Sequence, residues 1–563
     1  MKKKGLLVSS LSVLCLSLLA LTACGGRGET SNTSTNDTTT TDTNTSTDQT
    51  TSEDSFPTID NDKNYDKAST TYGNGENLNM RTLFDNKSAP SLDPLEEQHV
   101  LVVPFGFTEE QWVERQTKEN LDLIRIAFEG NQEEVDAASG WMSVQGYYDM
   151  ASYGKSKTTF DVVNTWCIYD GAAESLGGGY NAAVYAADWY KEEYAKENHG
   201  ALGADAQPIT YYDADEDGVI DAMWCIYSHS TGDVNSDWWA YVSHYPVRNP
   251  VHSNPQVSTF GWAGIDTFEG TVDAHTFTHE TGHIYGLADY YDYNSSWAPL
   301  GGIDMMDHNV GDHSAFSKFS LGWANPWVVD KPGQIVLRSF STSGDCFIIP
   351  SGNYNGTAFD EYLMFELVSP NGASEKDYKK GEGYSTPGVR VTHIDARVYS
   401  NDRSTYLTDN VEEGKDFRCD NSKFGRSGIT PLGSNDFWPS AQGSNTGTSF
   451  ALITLIESSI KKDNGLTMYN YTADESALFT DGDVFRITDS NNVWSSVYMP
   501  SGENLWNKAK VITEWSSNGS QKFTIDETQK MDISLRVNEI VKDEEYGYKA
   551  LITINTLNGE SLE

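Results

Sequence analysis

Residues 279–289 read His-Glu-Thr-Gly-His-Ile-Tyr-Gly-Leu-Ala-Asp, and this stretch determines which fold to expect. Residues four positions apart stack on one face of a helix, so His279 and His283 can direct their imidazoles at one metal ion. Glu280 then lies beside the metal, where its carboxylate can take a proton from a bound water. The stretch therefore predicts the catalytic helix of a zinc protease.

The same stretch predicts where the helix begins and ends. At about 100° per residue, one face collects side chains that can pack on a core, away from the two histidines: Ala274, Phe277, Thr281 and Ile284. Asp273 is the predicted N-cap. Gly286 is the predicted end, because glycine accepts the left-handed conformation that terminates helices.

A third ligand is expected beyond Gly286, where the chain can double back. Asp289 fits this spacing, and two histidines with a carboxylate form a catalytic zinc set that leaves the fourth position open for water. Other carboxylates stay within reach of the same cleft: Asp292, Asp304 and Asp307. His275 extends the histidine row, but Thr276 stands where a catalytic glutamate would be needed, so His275 is interpreted as a supporting or merely polar residue.

Gly301-Gly302-Ile303-Asp304-Met305-Met306-Asp307 follows closely enough to form the floor beneath the metal, where proteases with the extended motif carry a methionine turn. Together with 279–292, 314–318 and 321–323, this segment resembles the immune inhibitor A family of secreted bacterial metalloproteases. Softer matches extend the resemblance over roughly residues 98–400. It implies that Met306 is the turn methionine. Ile303 and Ala288 depart from the family pattern without touching a ligand.

The resemblance and the alternation of helical and apolar segments imply an α+β, zincin/metzincin-like catalytic domain with a mixed twisted sheet and long helices. Two helices are predicted, over 108–128 and 180–198. An all-β, sandwich-like region is expected after the catalytic domain. The predicted divisions are a catalytic domain at 76–330, a β-rich domain at 331–480 and a C-terminal β-rich module at 481–563.

The expected mechanism follows from the zinc-binding motif. Zinc polarises the scissile carbonyl and lowers the pKa of its bound water to about 7. Glu280 accepts the proton as water attacks and delivers it to the leaving amine. The sequence leaves open which side chain steadies the oxyanion, with four candidates: Tyr290, Tyr291, Tyr293 and His313.

A second metal site is predicted in Asp213-Ala214-Asp215-Glu216-Asp217-Gly218-Val219-Ile220-Asp221. Asp213, Asp215, Asp217 and Asp221 supply oxygens at positions 1, 3, 5 and 9, with a glycine at 6 for the sharp turn, as in a calcium loop. Position 12 is Trp224 where an EF-hand has glutamate. The stretch therefore predicts a shorter, structural calcium loop that enters a strand.

The N-terminus predicts export and lipid attachment. Lys2-Lys3-Lys4, an apolar run over 6–19 and small residues before Cys24 form a signal peptide at 1–23 that ends like a bacterial lipobox, with Cys24 as the lipidated residue. Residues 24–75 are predicted as a disordered linker, because a run of Ser, Thr, Asn and Asp cannot form a core. Loss of the signal's three lysines changes the net charge from −43 to −46, which excludes a nucleic-acid partner.

Four cysteines remain once Cys15 and Cys24 are assigned to the leader: Cys167, Cys225, Cys346 and Cys419. No pair among them has zinc-finger spacing. Disulfides are compatible with an extracytoplasmic compartment, but the sequence assigns no pairing.

The leading hypothesis is a monomeric, lipid-anchored zinc endopeptidase on the bacterial surface, which uses Zn²⁺ and a structural Ca²⁺ and cleaves extracellular proteins. The alternative is a catalytically silent lipoprotein adhesin or binding protein on a protease fold. A third hypothesis is a glycopeptide hydrolase in which tryptophans stack on sugars: Trp238, Trp239, Trp262 and Trp297. Substrate, cleavage preference and any inhibitory pro-segment are not specified by the sequence.

Overall fold

A computed structural model of the chain describes residues 56–69, 92–233, 236–268, 272–291, 298–350, 354, 356–396, 452–458, 473–487, 510–515, 521–525 and 533–562. The predicted signal peptide 1–23, Cys24 and Cys419 lie outside these residues. Among the described helices, none has the length and apolar character needed to cross a membrane.

The N-terminal half is built on a mostly parallel sheet. Its strands are β1 (Glu97–Phe107), β2 (Lys157–Val162), β3 (Cys167–Tyr169), β5 (Ala222–Tyr227), β6 (Tyr241–His244) and β8 (Thr259–Gly264), while β4 (Val219–Ile220) and β7 (Gln256–Val257) form a separate pair. The order is β2-β1-β5-β8-β6, with β3 also beside β1. β1 and β5 are apolar and almost wholly buried, as expected for central strands covered on both faces. β6 runs antiparallel to β8 and forms one edge.

The described α-helices are α1 (Asn61–Asn64), α2 (Glu110–Val113), α3 (Lys118–Glu129), α4 (Gln132–Ala137), α5 (Val144–Ala151), α6 (Gly179–Tyr194), α7 (His275–Ile284), α8 (Met305–His308), α9 (Ala315–Ser320), α10 (Phe340–Ser343) and α11 (Glu375–Lys380). The predicted helix over 180–198 is present as α6, but it ends four residues earlier than predicted, at Tyr194. The one over 108–128 is divided into α2 and α3, because the Thr117 side chain caps a new helix by accepting a hydrogen bond from the Asn120 N–H.

The two faces of this sheet carry different helices. Val100 and Val102 of β1 share one core with α3, α5 and α7, whereas Leu101 and Val103 share another core with α6. Successive side chains of a strand point to opposite faces, so the apolar run of β1 serves both cores. The helix that carries the two motif histidines, α7, is thereby held against one face.

The described residues of the C-terminal half form two larger sheets and one further antiparallel strand pair. Its strands are β9 (Trp327–Val328), β10 (Gly333–Arg338), β11 (Cys346–Pro350), β12 (Glu361–Val368), β13 (Gly388–Asp395), β14 (Ile453–Ile456), β15 (Val484–Ile487), β16 (Lys510–Trp515), β17 (Gln521–Ile525), β18 (Ile533–Asp543), β19 (Gly547–Leu557) and β20 (Glu560–Ser561). One sheet has the order β14-β13-β12-β11-β9 and the other β10-β19-β18-β15, with β20 beside β19 and β16 paired with β17. The predicted succession of an α+β region and a β-rich region is confirmed at this level.

The three predicted domains are not separate packing units. β10 pairs with β19, so residues from 331–480 and from 481–563 share one sheet and one apolar core. The boundary at 330 is also crossed, because Ile348, Tyr362 and Ile394 of the following sheet belong to the same core as α7. The physical reason is that the sheet's apolar face is buried in the core that α7 also lines.

Part of the predicted linker 24–75 is ordered. Within 56–69, the Asn61 side chain donates to the Val336 carbonyl at 2.7 Å and accepts from the Val336 N–H at 3.0 Å. Tyr65 is 4% exposed and lies in the core of the two C-terminal sheets. The prediction of disorder is therefore wrong for this stretch, because Tyr65 supplies the apolar surface that the polar run before it lacks.

Candidate functional site

α7 places the motif histidines, and its ends differ in how well the sequence predicted them. The helix begins at His275 with Ala274 as N-cap, so the predicted N-cap Asp273 is wrong by one residue, although its carboxylate accepts the His275 N–H at 3.1 Å. The predicted end is confirmed: Gly286 has φ +95°, and the Leu287 N–H bonds to the Gly282 carbonyl at 3.0 Å. This turn reverses the chain toward Asp289.

His279, His283 and Asp289 converge on one point. Asp289 Oδ1 lies 2.9 Å from His279 Nε2 and 3.2 Å from His283 Nε2. One potential ligand atom from each residue falls within 4.8 Å of the others. The buried setting and this spacing match what a small divalent cation requires.

The other carboxylates considered for the third position are used elsewhere. Asp304 accepts from the backbone N–H groups of Met306 and Ser314, at 2.7 and 2.6 Å. Asp307 accepts from the N–H groups of Leu300 and Gly302, at 3.0 and 2.9 Å. Asp292 lies outside the described residues. Of the described candidates, only Asp289 is grouped with both histidines.

Backbone carbonyls determine the tautomers of both histidines. His279 Nδ1 lies 2.7 Å from the Met305 carbonyl and His283 Nδ1 lies 2.8 Å from the Leu287 carbonyl. A carbonyl can only accept, so each Nδ1 carries a proton and each neutral ring presents a lone pair at Nε2. A proton or a metal cation must therefore lie between these nitrogens and the Asp289 oxygen. The donor set fits a zinc ion.

Asp289 and His283 shift each other's pKa values toward the charged forms. Burial disfavours a charged imidazole, but the adjacent Asp289 outweighs burial and raises the pKa of His283 to about 10. Burial would also raise the pKa of Asp289, yet the two histidines hold it well below its usual value. The Asp289 carboxylate is therefore ionised and able to offset part of a bound cation's charge.

The Glu280 side chain extends from α7 toward the edge strand β6. Burial raises the pKa of its carboxyl group, and the two neighbouring histidines oppose that rise. The backbone N–H of Val242 in β6 also lowers this pKa, because it stabilises the ionised carboxylate. Sequence reasoning missed Val242, because a backbone donor carries no side-chain signal and its position depends on strand pairing.

The methionine turn packs directly beneath α7. Asp304 caps α8 through the Met306 N–H, and the Met306 carbonyl accepts from the Tyr290 N–H at 2.9 Å. A Cβ atom added at Gly282 would lie 2.5 Å from the Met306 sulfur. Glycine at this position therefore lets the turn approach the helix between the two histidines.

The four oxyanion candidates occupy different surroundings. The Tyr290 hydroxyl is buried and bonded to Ser317 Oγ at 2.6 Å. His313 is buried against Tyr147 and Tyr148, and its two ring nitrogens have no hydrogen-bond partner among the described residues.

Tyr291 is the candidate nearest to the converging ligands. Its ring centroid lies 6.4 Å from that of His279, and its hydroxyl is hydrogen-bonded to Asp289. Tyr293 lies outside the described residues. Sequence reasoning missed His308, which is part-exposed with its ring centroid 6.0 Å from that of Tyr291. Its position two residues after Met306 could have drawn attention to it.

His275 is not grouped with the three converging ligands. Its Nδ1 bonds to Asp273 and its Nε2 lies 3.0 Å from Asp377 Oδ1. Burial would lower the pKa of His275, but the two carboxylates raise it to about 9. The charged ring also stacks on Trp141 with centroids 3.7 Å apart.

The predicted calcium loop gathers three of its four aspartates. One oxygen each from Asp213, Asp215 and Asp221 falls within 4.8 Å of the others. Asp217 is not in this group; its Oδ1 accepts from the Val219 N–H at 2.8 Å. The difference arises because this local turn needs a side-chain acceptor for the backbone.

Asp213 gives the strongest support for a cation site in this loop. It is 1% exposed, and its Oδ1 has no hydrogen-bond partner among the described residues. Its Oδ2 accepts from the Gly218 N–H at 3.0 Å and contacts His252 Nδ1 at 2.8 Å. His252 was not predicted, since it is distant in sequence. A buried oxygen without a partner is costly, so the loop fits a bound Ca²⁺.

The remaining candidates are structural in character. Cys167, Cys225 and Cys346 are buried free thiols. Trp262 is fully buried, and Trp238 stacks on His229 at 3.8 Å, whereas Trp239 is 39% exposed. Trp297 lies outside the described residues. Of these three tryptophans only Trp239 is exposed, so they do not form a shared sugar-stacking surface.

Comparison with known proteins adds no identification. No protein-family model matches this chain, and no curated protein matches it significantly. Its own residues and geometry are thus the basis for assigning a function.

Proposed function

We propose that this protein is a zinc-dependent endopeptidase with a zincin/metzincin-like catalytic region. The observation that carries the proposal is the convergence of His279 Nε2, His283 Nε2 and Asp289 Oδ1, with both Nδ1 atoms engaged by carbonyls. Three protein ligands with an open fourth position are characteristic of catalytic rather than structural zinc. Glu280 and the methionine turn below α7 support the same assignment.

Zinc at this site would polarise a carbonyl and lower the pKa of bound water. Glu280 takes the proton from the attacking water and transfers it to the departing amine. Its raised pKa suits both steps, because a carboxyl group closer to neutrality can accept and return a proton. The Tyr291 hydroxyl, already at Asp289, is the best-placed described side chain to donate to a developing oxyanion.

The edge strand β6 suits an extended peptide as substrate. Among the described strands, β6 pairs only with β8, so no described strand pairs with its other edge. An extended chain can add to such an edge through main-chain hydrogen bonds. The Val242 N–H, which contacts Glu280, would lie along that peptide. Together with the predicted lipid at Cys24, this supports a surface-tethered endopeptidase acting on extracellular proteins.

The direct test is casein hydrolysis by the chain from Gly25 onward. We expect hydrolysis with about one zinc per chain, loss of activity after chelation, and recovery with added zinc, because the site supplies three ligands. His199→Gln is a suitable control, since His199 lies outside the ligand group. Zinc binding without hydrolysis of casein or denatured proteins would favour a catalytically silent binding protein. Absence of zinc binding would contradict both the site and the mechanism.

We also propose a structural Ca²⁺ at Asp213, Asp215 and Asp221. Calcium added at 100-fold above its dissociation constant should raise the melting temperature by about 2–4 °C, because only the folded loop assembles the ligands. Asp213→Asn should remove this response and Asp217→Asn should retain it, since Asp217 is outside the group. Calorimetric melts of the three proteins check this. Equal responses in both variants would contradict the assignment.

A further inference from the structure

Two buried side chains beyond residue 330, Arg390 and Asp377, contact segments that support the proposed zinc site. Arg390, in β13, is 3% exposed and lies opposite Glu366 of β12. Its Nε and Nη2 contact Glu366 Oε1 at 2.9 and 2.8 Å, and its Nη1 donates to the Ile303 carbonyl at 2.8 Å. The planar guanidinium can make both contacts at once, which an ammonium cannot.

The Ile303 carbonyl that Arg390 binds lies two residues before the carbonyl that orients His279. Ile303 precedes Asp304 and Met305, and the Met305 carbonyl receives His279 Nδ1 at 2.7 Å. The positive charge of Arg390 also opposes the effect of burial on Asp304, whose pKa is raised to about 7. Asp304 holds the turn by accepting the Met306 N–H. Arg390 thus secures the backbone that orients His279.

Asp377, in α11, supports the start of α7, the helix that carries His279. Its Oδ1 lies 3.0 Å from His275 Nε2, and its Oδ2 accepts from the Gly311 N–H at 2.6 Å. His275 stands one helical turn before His279 on α7. Asp377 therefore ties the start of α7 to the loop that follows the methionine turn.

We propose that Arg390 and Asp377 are positioning residues of the metal site: Arg390 holds the carbonyl that orients His279, and Asp377 holds the first turn of α7 through His275. The inference rests on the proposed zinc site. Both residues act on groups that orient a ligand, and loss of such outer contacts typically weakens metal binding by about 10- to 100-fold. The second sheet is thereby part of the zinc site's support.

The test compares Arg390→Met, Arg390→Lys, Asp377→Asn and the parent, each as the chain from Gly25 onward. Arg338→Met is the matched control, because it removes another arginine–carboxylate pair, with Asp345 at 2.6 Å, outside the zinc site. Zinc affinity is measured by competition with a chelator, folding by circular dichroism, and kcat and KM with a peptide substrate.

We expect zinc dissociation constants about 10- to 100-fold higher for Arg390→Met and Asp377→Asn, with lower kcat at saturating zinc and little change in KM. Arg390→Lys keeps the positive charge but loses the planar guanidinium. It should fold, and its zinc dissociation constant should lie between those of the parent and Arg390→Met. Arg338→Met should match the parent.

Zinc affinities of folded Arg390→Lys and Asp377→Asn within twofold of the parent would overturn the proposal, even if Arg390→Met failed to fold. A parent that binds zinc but cleaves no peptide would refute the endopeptidase assignment while leaving the positioning test intact. A parent that binds no zinc would refute both.

Discussion

Glu280→Gln is expected to lower casein hydrolysis by about 10²-fold or more, since general acid–base catalysis contributes roughly 10²- to 10⁴-fold. Glutamine has nearly the same shape, but it cannot take a proton from water. The ligand atoms of His279, His283 and Asp289 are untouched. Zinc content should therefore stay at the parent's level while turnover falls.

Initial rates of both proteins at matched zinc content decide this prediction. Glu382→Gln is a suitable control, because Glu382 is an exposed glutamate outside the ligand group. Equal hydrolysis by the parent and the Glu280 variant would show that Glu280 is not the base. A variant that lost zinc together with activity would instead assign Glu280 a structural part in the metal site.

A chain that ends at Asp330 is expected not to fold. Ile348, Tyr362, Met364 and Ile394 are at most 1% exposed and belong to the core that supports α7. Each such side chain contributes about 1.5–3 kcal/mol when buried. Their combined loss is comparable to the total stability of about 5–15 kcal/mol that a folded protein has. The truncation also removes Arg390 and Asp377.

The truncated chain, residues 25–330, should show no cooperative thermal transition and no zinc binding of parental affinity. Differential scanning calorimetry and chelator competition measure the two properties. Deletion of residues 28–54 is the matched control and should leave both unchanged, because that stretch has too little apolar surface to pack. A cooperative, zinc-binding 25–330 fragment would show that the catalytic region is complete at residue 330.

Local features of the site were predictable because helix geometry determines them. His279 and His283 are four positions apart, and one turn of helix places both rings on one face regardless of the rest of the fold. Gly286 ends the helix for a reason contained in its own backbone. The start was less certain: Asp273 was expected as the N-cap, but it lies one residue before the helix's cap at Ala274.

Long-range features were predicted less well. The boundary at 330 followed a change of pattern toward alternating strands, but alternation reports only that one face is buried, not what covers it. Here that face is covered partly by the helices of the preceding region, so Tyr362 and Ile394 share a core with α7. Tyr65 illustrates the same limit, since a few apolar residues in a polar stretch can pack wherever a complementary core exists.

The sequence by itself determined the helix that carries His279 and His283, its end at Gly286, the acidic loop beginning at Asp213 and the succession of an α+β and a β-rich region. Only the tertiary structure decided that Asp289 among the described carboxylates joins the histidines, that Val242 meets Glu280, and that Arg390 holds the turn at Ile303. The reason is physical. Spacing along a helix or turn is set by local backbone geometry, whereas the pairing of distant groups depends on strand register and on how the layers pack.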